Sequence, residues 1–239
     1  MWLGSGGVNM HMKRFLLAAL LLIFSTLVIK AQTIDSTSAI RRGNELVAKE
    51  KYEEAIEVYQ TIPSDAGEAY AQSLYNIGVC NYELLRTERA ISFYRRALEE
   101  LGGRYARASY ALGVALEELG RRDEARQAFY HAVNVSNAKF APATYKLGVM
   151  SANEGDFETA MRLFKRAAAS DGPHVAASHN NLGVMLALMG QLNAAEKEFL
   201  IALRQTEGRL PDAAHNLKLC HALMQTALNA KTEVFQLYP

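Results

Sequence analysis

The stretch YALGVALEELGRRDEARQAFYHAV, Tyr110 to Val133, decides the fold. It is one of three segments on the same frame. YNIGVCNYELLRTERAISFYRRAL runs from Tyr75 to Leu98, and YKLGVMSANEGDFETAMRLFKRAA from Tyr145 to Ala168. Aligned on the shared glycine, the frame continues in both directions through Gly43, Gly78, Gly113, Gly148 and Gly183, every step being 35 residues. One further step lands on Lys218, inside AAHNLKLCHAL, which keeps the frame without the glycine. Twelve residues after each glycine stands Ala55, Ala90, Ala125, Ala160 or Ala195. Sixteen after it stands an aromatic, Tyr59, Tyr94, Phe129, Phe164 or Phe199.

Each unit reads as two helices. The first runs to a glycine turn at Gly120, Gly155 or Gly190, where the left-handed backbone that ends a helix costs least. Asp123 and Asp156 suit the start of the second helix, where a carboxylate accepts exposed N–H groups. The alanine and the aromatic, four apart, share one face of that helix. The small residues let two helices approach closely, and the aromatic is expected to fill the space between neighbouring hairpins. One hairpin cannot bury its apolar face alone, whereas stacked neighbours bury it for each other.

The spacing L-G, turn, A-x3-[FY]-x2-A resembles the tetratricopeptide repeat family. The resemblance covers residues 36 to 227. It implies an all-α, right-handed superhelical solenoid of five hairpins, closed by a capping helix over 212 to 231 and followed by a tail, 232 to 239. It also implies a non-enzymatic protein that binds protein partners in a concave groove. That groove would be lined by the first helices, on the side away from Leu112, Gly113 and Leu116. Along it stand Tyr75, Tyr110 and Tyr145 three before the glycine, then Asn180 and His215. Asn44 lies one after the glycine. Asn76, Lys146, Asn181 and Asn216 form a rim two before it. The expected partner-binding residues are Asn44, Tyr75, Asn76, Tyr110, Tyr145, Lys146, Asn180, Asn181 and His215. A tyrosine ladder offers apolar area and a hydroxyl at little entropic cost; the same rings could instead pack against the next repeat. Some co-chaperone members clamp a terminal carboxylate with two lysines, two asparagines and an arginine. Asn44, Asn76 and Arg107 match three of those places, while Ile40 and Ala111 stand where cations are needed, which argues against that clamp.

Outside the repeats, Lys13 and Arg14 precede the uncharged run FLLAALLLIFSTLVI, Phe15 to Ile29. Fifteen uncharged residues fall short of the roughly 20 that span a bilayer. Residues 1 to 31 therefore read as a secretory signal cut after Ala31 or as an N-terminal membrane anchor, with Met1, Met10 or Met12 as the start. Cleavage would turn a net charge of +1 into 23 basic against 25 acidic residues. The expected location is the periplasm or cell envelope of a bacterium, with the membrane reached only through this segment.

Chemistry is sparse. The charge balance and the absence of a basic stripe exclude a nucleic-acid binder. His174 and His179 lie five apart, and His215 and His221 six, neither being the helical i, i+4 metal spacing. No phosphate loop or nucleophile elbow occurs. No catalytic residue, metal or cofactor is expected. The arginines from Arg86 to Arg126 interleave with acids and read as solvated ion pairs. Cys80 and Cys220 share one repeat position four repeats apart, too distant to bridge, and read as small core groups. A second functional reading is a structural spacer or self-associating subunit, in which VFQLYP, Val234 to Pro239, or another copy fills the groove.

Overall fold

The computed structural model describes residues 35 to 137, 139 to 170, 172 and 174 to 226. The expected signal or anchor and the C-terminal tail lie outside these residues. Among the described residues every regular element is a helix. The chain divides into two compact units, the first ending at Leu101 and the second starting at Gly102.

The first unit holds α1 (35–47), α2 (Tyr52–Gln60), α3 (Glu68–Glu83) and α4 (Thr87–Glu100), with a single 3-10 turn at Ser64–Ala66. α3 packs against both α2 and α4. The second unit holds α5 (Ala106–Glu118), α6 (Arg122–Val135), α7 (Ala141–Asn153), α8 (Phe157–Ala168), α9 (Val175–Leu188), α10 (Leu192–Gln205) and α11 (Pro211–Thr226). Each helix there packs on the next, and α11 also reaches α9. The fold is the expected all-α tandem of helix–turn–helix repeats, the solenoid class. The described part of the last helix is Pro211–Thr226, and residues 227 to 231 of the expected cap lie beyond it.

The repeat frame has a direct steric cause. Ala55, Ala90, Ala125, Ala160 and Ala195 have no exposed surface. The aromatic four residues on is seated over the glycine of its own hairpin. A methyl group on Gly113 would stand 2.5 Å from Phe129 Cε1, and one on Gly43 would stand 2.2 Å from Tyr59. The aromatic therefore packs inside its hairpin, which corrects the expectation that it fills the space between hairpins. Only a residue without a side chain lets the two helix axes come this close.

All five hairpin turns are built alike. The residue seven after the repeat glycine has positive φ: 58° at Glu50, 57° at Leu85, 73° at Gly120, 79° at Gly155 and 77° at Gly190. The next N–H then reaches back five residues, as from Arg86 to the Asn81 carbonyl at 2.8 Å and from Arg121 to Leu116 at 2.9 Å. This closes the first helix with the Schellman pattern. It also fixes where the second helix begins. Asp156 sits at that cap and its carboxylate accepts the Thr159 N–H at 3.1 Å. Asp123 does not, because the turn places Arg121 at the cap and Asp123 two residues inside the first turn.

Candidate functional site: the first-helix face

In the first unit, Asn44 is exposed on α1 and its side-chain oxygen accepts two hydrogen bonds. Tyr59 Oη donates at 2.6 Å and Asn76 Nδ2, from α3, at 3.3 Å. Burial raises the Tyr59 phenol well above its usual value, so it stays a neutral donor. Tyr75 is half-buried, its ring 5.9 Å from Tyr94. Asn44 and Asn76 thus tie α1 to α3 and hold the repeat aromatic in place.

In the second unit the expected residues fall into two groups. Tyr110 is half-buried on α5, with ring centroids 5.7 Å from Phe129 and 5.5 Å from Phe140. Val114, Lys146 and Val149 are also half-buried, and Lys146 Nζ lies 3.2 Å from the Glu117 carboxylate. His215 is exposed on α11. These keep part of their surface open.

Tyr145, Asn180 and Asn181 do not; each has 0% exposure. They belong to a buried relay that runs from α11 through α9 to α7. Asn216 Nδ2 donates to Asn180 Oδ1 at 3.0 Å, Asn180 Nδ2 to Asn181 Oδ1 at 3.1 Å, and Asn181 Nδ2 to Tyr145 Oη at 3.2 Å. The rim residue of one repeat thus donates to the face residue of the repeat before it, at separations of 36 residues. The Tyr145 ring lies 5.8 Å from Phe164 and stacks on His174 at 4.8 Å. Burial, helped by the nearby Lys146 charge, pulls His174 below the usual imidazole range. The expected binding role of Tyr145, Asn180 and Asn181 gives way here to a packing role. A buried polar group is tolerated only when it is hydrogen-bonded, and these three satisfy one another. The sequence pointed at this only weakly: three amides, Asn180, Asn181 and Asn216, stand at one repeat-to-repeat register.

Three further histidines among the described residues have local partners. His131 Nδ1 lies 2.8 Å from Ser109 Oγ, His179 Nδ1 2.6 Å from Glu198, and His221 Nε2 2.6 Å from Glu196. Arg121 pairs with Glu124 at 2.7 Å, and Arg126 clasps Glu154 with both terminal nitrogens. Cys80 and Cys220 are buried free thiols. Burial pushes Cys80 up to about 11, and the Cys220 thiol donates to the Leu192 carbonyl at 3.3 Å. Among the described residues no group of three or more His, Cys, Asp and Glu gathers to hold a metal, and no helix is long and apolar enough to cross a membrane.

Glycine-seated helical hairpins repeated in tandem within each unit define a protein of the helical-repeat class. Three tetratricopeptide repeat models match in succession, over residues 37–100, 106–139 and 145–217. The chain belongs to the tetratricopeptide repeat family, whose members serve as protein–protein interaction scaffolds. No curated protein sequence matches it.

Solved structures of the same fold include three of known origin or description. MamA from Desulfovibrio magneticus is 18% identical over 74% of this chain and 97% of its own, with a TM-score of 0.56. YrrB, described as a TPR protein with an unusual peptide-binding site, is 23% identical over 81% and 97%, with a TM-score of 0.56. The C-terminal part of a TPR repeat-containing protein from Cytophaga hutchinsonii is 17% identical over 79% and 72%, with a TM-score of 0.60. At these identities the likeness is one of fold.

Proposed function

We propose that this chain is a non-catalytic adaptor of the bacterial cell envelope that holds a peptide segment or helix of a partner protein against its first-helix face. The observation that carries this reading is the half-exposed strip of Tyr110 and Val114 on α5 with Lys146 and Val149 on α7. A tyrosine ring and two valines provide apolar contact area, and Lys146, held by Glu117, stands ready to meet a carboxylate or backbone carbonyl. That YrrB is described as having a peptide-binding site on the same fold supports the reading. Export is part of the proposal and rests on the basic and apolar pattern of residues 13 to 31.

Site-specific photo-crosslinking in living cells tests it, with the reactive group at Tyr110 and a control at the exposed Lys165 on α8. A discrete partner trapped from Tyr110 and not from Lys165 is the expected result. Self-crosslinks alone, or the same products from both positions, would overturn it.

The burial of Tyr145, Asn180 and Asn181 favours a second reading for the C-terminal repeats, as a structural spacer or self-associating subunit. Removing residues 232 to 239 and measuring self-association by sedimentation tests that. An unchanged sedimentation profile would set the tail aside as the occupant of this face.

A further inference from the structure

The second face of the first unit carries a cavity of about 350 Å³. Ile56 from α2, Ile77 from α3 and Phe93 from α4 form its apolar part, and Gln60, Asn81, Ser92, Arg86 and Arg89 line the rest. Its lining does not include Asn44, Tyr75 or Asn76.

The arginine pair differs from its counterparts in the first, third and fourth repeats, while the fifth has Gln191 and Ala194 there, which make no such pair. The residues eight and eleven after the repeat glycine start the second helix together. In the first repeat they are Lys51 and Glu54, an ion pair at 2.8 Å. In the third they are Arg121 and Glu124, joined by two bonds of 2.7 Å. In the fourth they are Asp156 and Thr159, a cap at 3.1 Å. In the second repeat both are arginine. Arg86 turns away to Glu53 of α2, at 3.1 Å. Arg89 is exposed and makes no hydrogen bond or ion pair among the described residues. Two like charges stand where the first and third repeats have an opposite pair, and Arg89 borders a cavity of mixed apolar and polar lining.

We infer that this cavity binds a short acidic and apolar motif of a partner protein, seating an apolar side chain against Ile56, Ile77 and Phe93 while a neighbouring carboxylate pairs with Arg89. The volume is at the low end of ligand pockets, enough for one large side chain. A guanidinium binds a carboxylate through two parallel hydrogen bonds, which gives direction as well as charge. Glu53 already neutralises Arg86, so one added carboxylate completes the balance. The inference is independent of the first-helix strip and would survive the failure of that reading.

The probe is N-acetyl-glutamyl-phenylalanine amide, titrated into the isotopically labelled full chain and followed by amide chemical shifts. Its isostere N-acetyl-glutaminyl-phenylalanine amide is the neutral control. The expected shifts fall on Ile77, Arg89, Ser92 and Phe93, with the neutral peptide binding about threefold more weakly, the usual loss for one solvent-exposed ion pair. Arg89→Glu is the decisive variant, because it installs with Arg86 the pairing seen at Arg121 and Glu124. It should fold with an unchanged or higher urea midpoint and lose the shifts. Arg89→Gln repeats the test should that variant misfold. Equal binding of both peptides, no shifts at the cavity, or unchanged binding by a folded Arg89 variant would overturn the inference. Concentration-dependent self-association that Arg89→Glu abolishes, without peptide binding, would assign the cavity to a second copy and overturn it too.

Discussion

Replacing Gly113 with alanine reverses the usual sign of a glycine-to-alanine change in a helix. At an open mid-helix site the added methyl stabilises by roughly 0.5–1 kcal/mol, because it restricts the unfolded chain. At Gly113 the methyl would lie 2.5 Å from Phe129 Cε1 and 2.6 Å from Cδ1. An ordinary carbon contact is about 3.5–4 Å, so either the ring or the helix must retreat by on the order of 1 Å. Phe129 has no exposed surface, and Tyr110 packs on it at 5.7 Å, which leaves the ring no empty volume to enter. Overpacking of this kind costs about 1–3 kcal/mol. Set against the helical gain, the net loss should be about 1–2 kcal/mol, read as a lower urea midpoint in far-UV circular dichroism. The cause is testable by relief: Phe129→Leu lowers stability alone, but combined with Gly113→Ala it should lose less than the two changes added. Stabilisation by Gly113→Ala, or strict additivity of the pair, would refute the steric account of the repeat frame.

Three further outcomes follow from the geometry. Leu85 is 84% exposed at a φ of 57°, so Leu85→Gly should raise stability by about 1 kcal/mol through relief of left-handed strain; a lower urea midpoint would show that the leucine has a packing partner. Asn181→Leu leaves Tyr145 Oη and the Asn180 amide without their shared partner and should cost about 1–3 kcal/mol. Adding Tyr145→Phe should recover part of that loss, and a fully additive double variant would dissolve the relay. His174 has a depressed pKa, so the unfolded chain takes up its proton first as pH falls below the usual value of 6.5. Its contribution is therefore present above that pH, fades below it, and levels out once the folded chain is also protonated. Urea midpoints at pH 7.5 and 5.5 should differ more for the parent than for His174→Gln; identical differences would remove His174 as a cause.

The fold was legible because its cause is local. A glycine and an aromatic sixteen residues apart meet inside one hairpin, so the steric fit that builds the repeat is written at short range and recurs five times. The turn was legible through Gly120, Gly155 and Gly190, though Glu50 and Leu85 adopt the same conformation with no such signal. Asp123 misled because its charge suits a helix start while the backbone register, set by the turn, puts the cap elsewhere. The candidate site was harder. Periodicity places Tyr145, Asn180 and Asn181 on the same face as Tyr110, but periodicity reports direction and not cover. Whether a residue at that register is open depends on what stands 36 residues away, and the amide relay with Asn216 is a property of pairs that no single position announces. The rim of Arg89 is the converse: two arginines in an ion-paired helix look ordinary until the pair at the same place in the first and third repeats is seen to be of opposite charge.

The asparagine relay has a consequence for how such a chain can change length. A repeat bound to its neighbours only by apolar packing could be duplicated, deleted or transplanted freely, since any neighbour supplies a similar surface. The hairpin of α9 and α10 is not of that kind. It is matched to a tyrosine hydroxyl before it and an asparagine after it, and inserted behind a repeat with Ile40 or before one with Ala111 it would lose one of these two buried bonds. The C-terminal repeats are therefore ordered as well as counted, and a chimaera that respects the 35-residue period while shuffling them should express poorly beside one that moves residues 141 to 226 as a block.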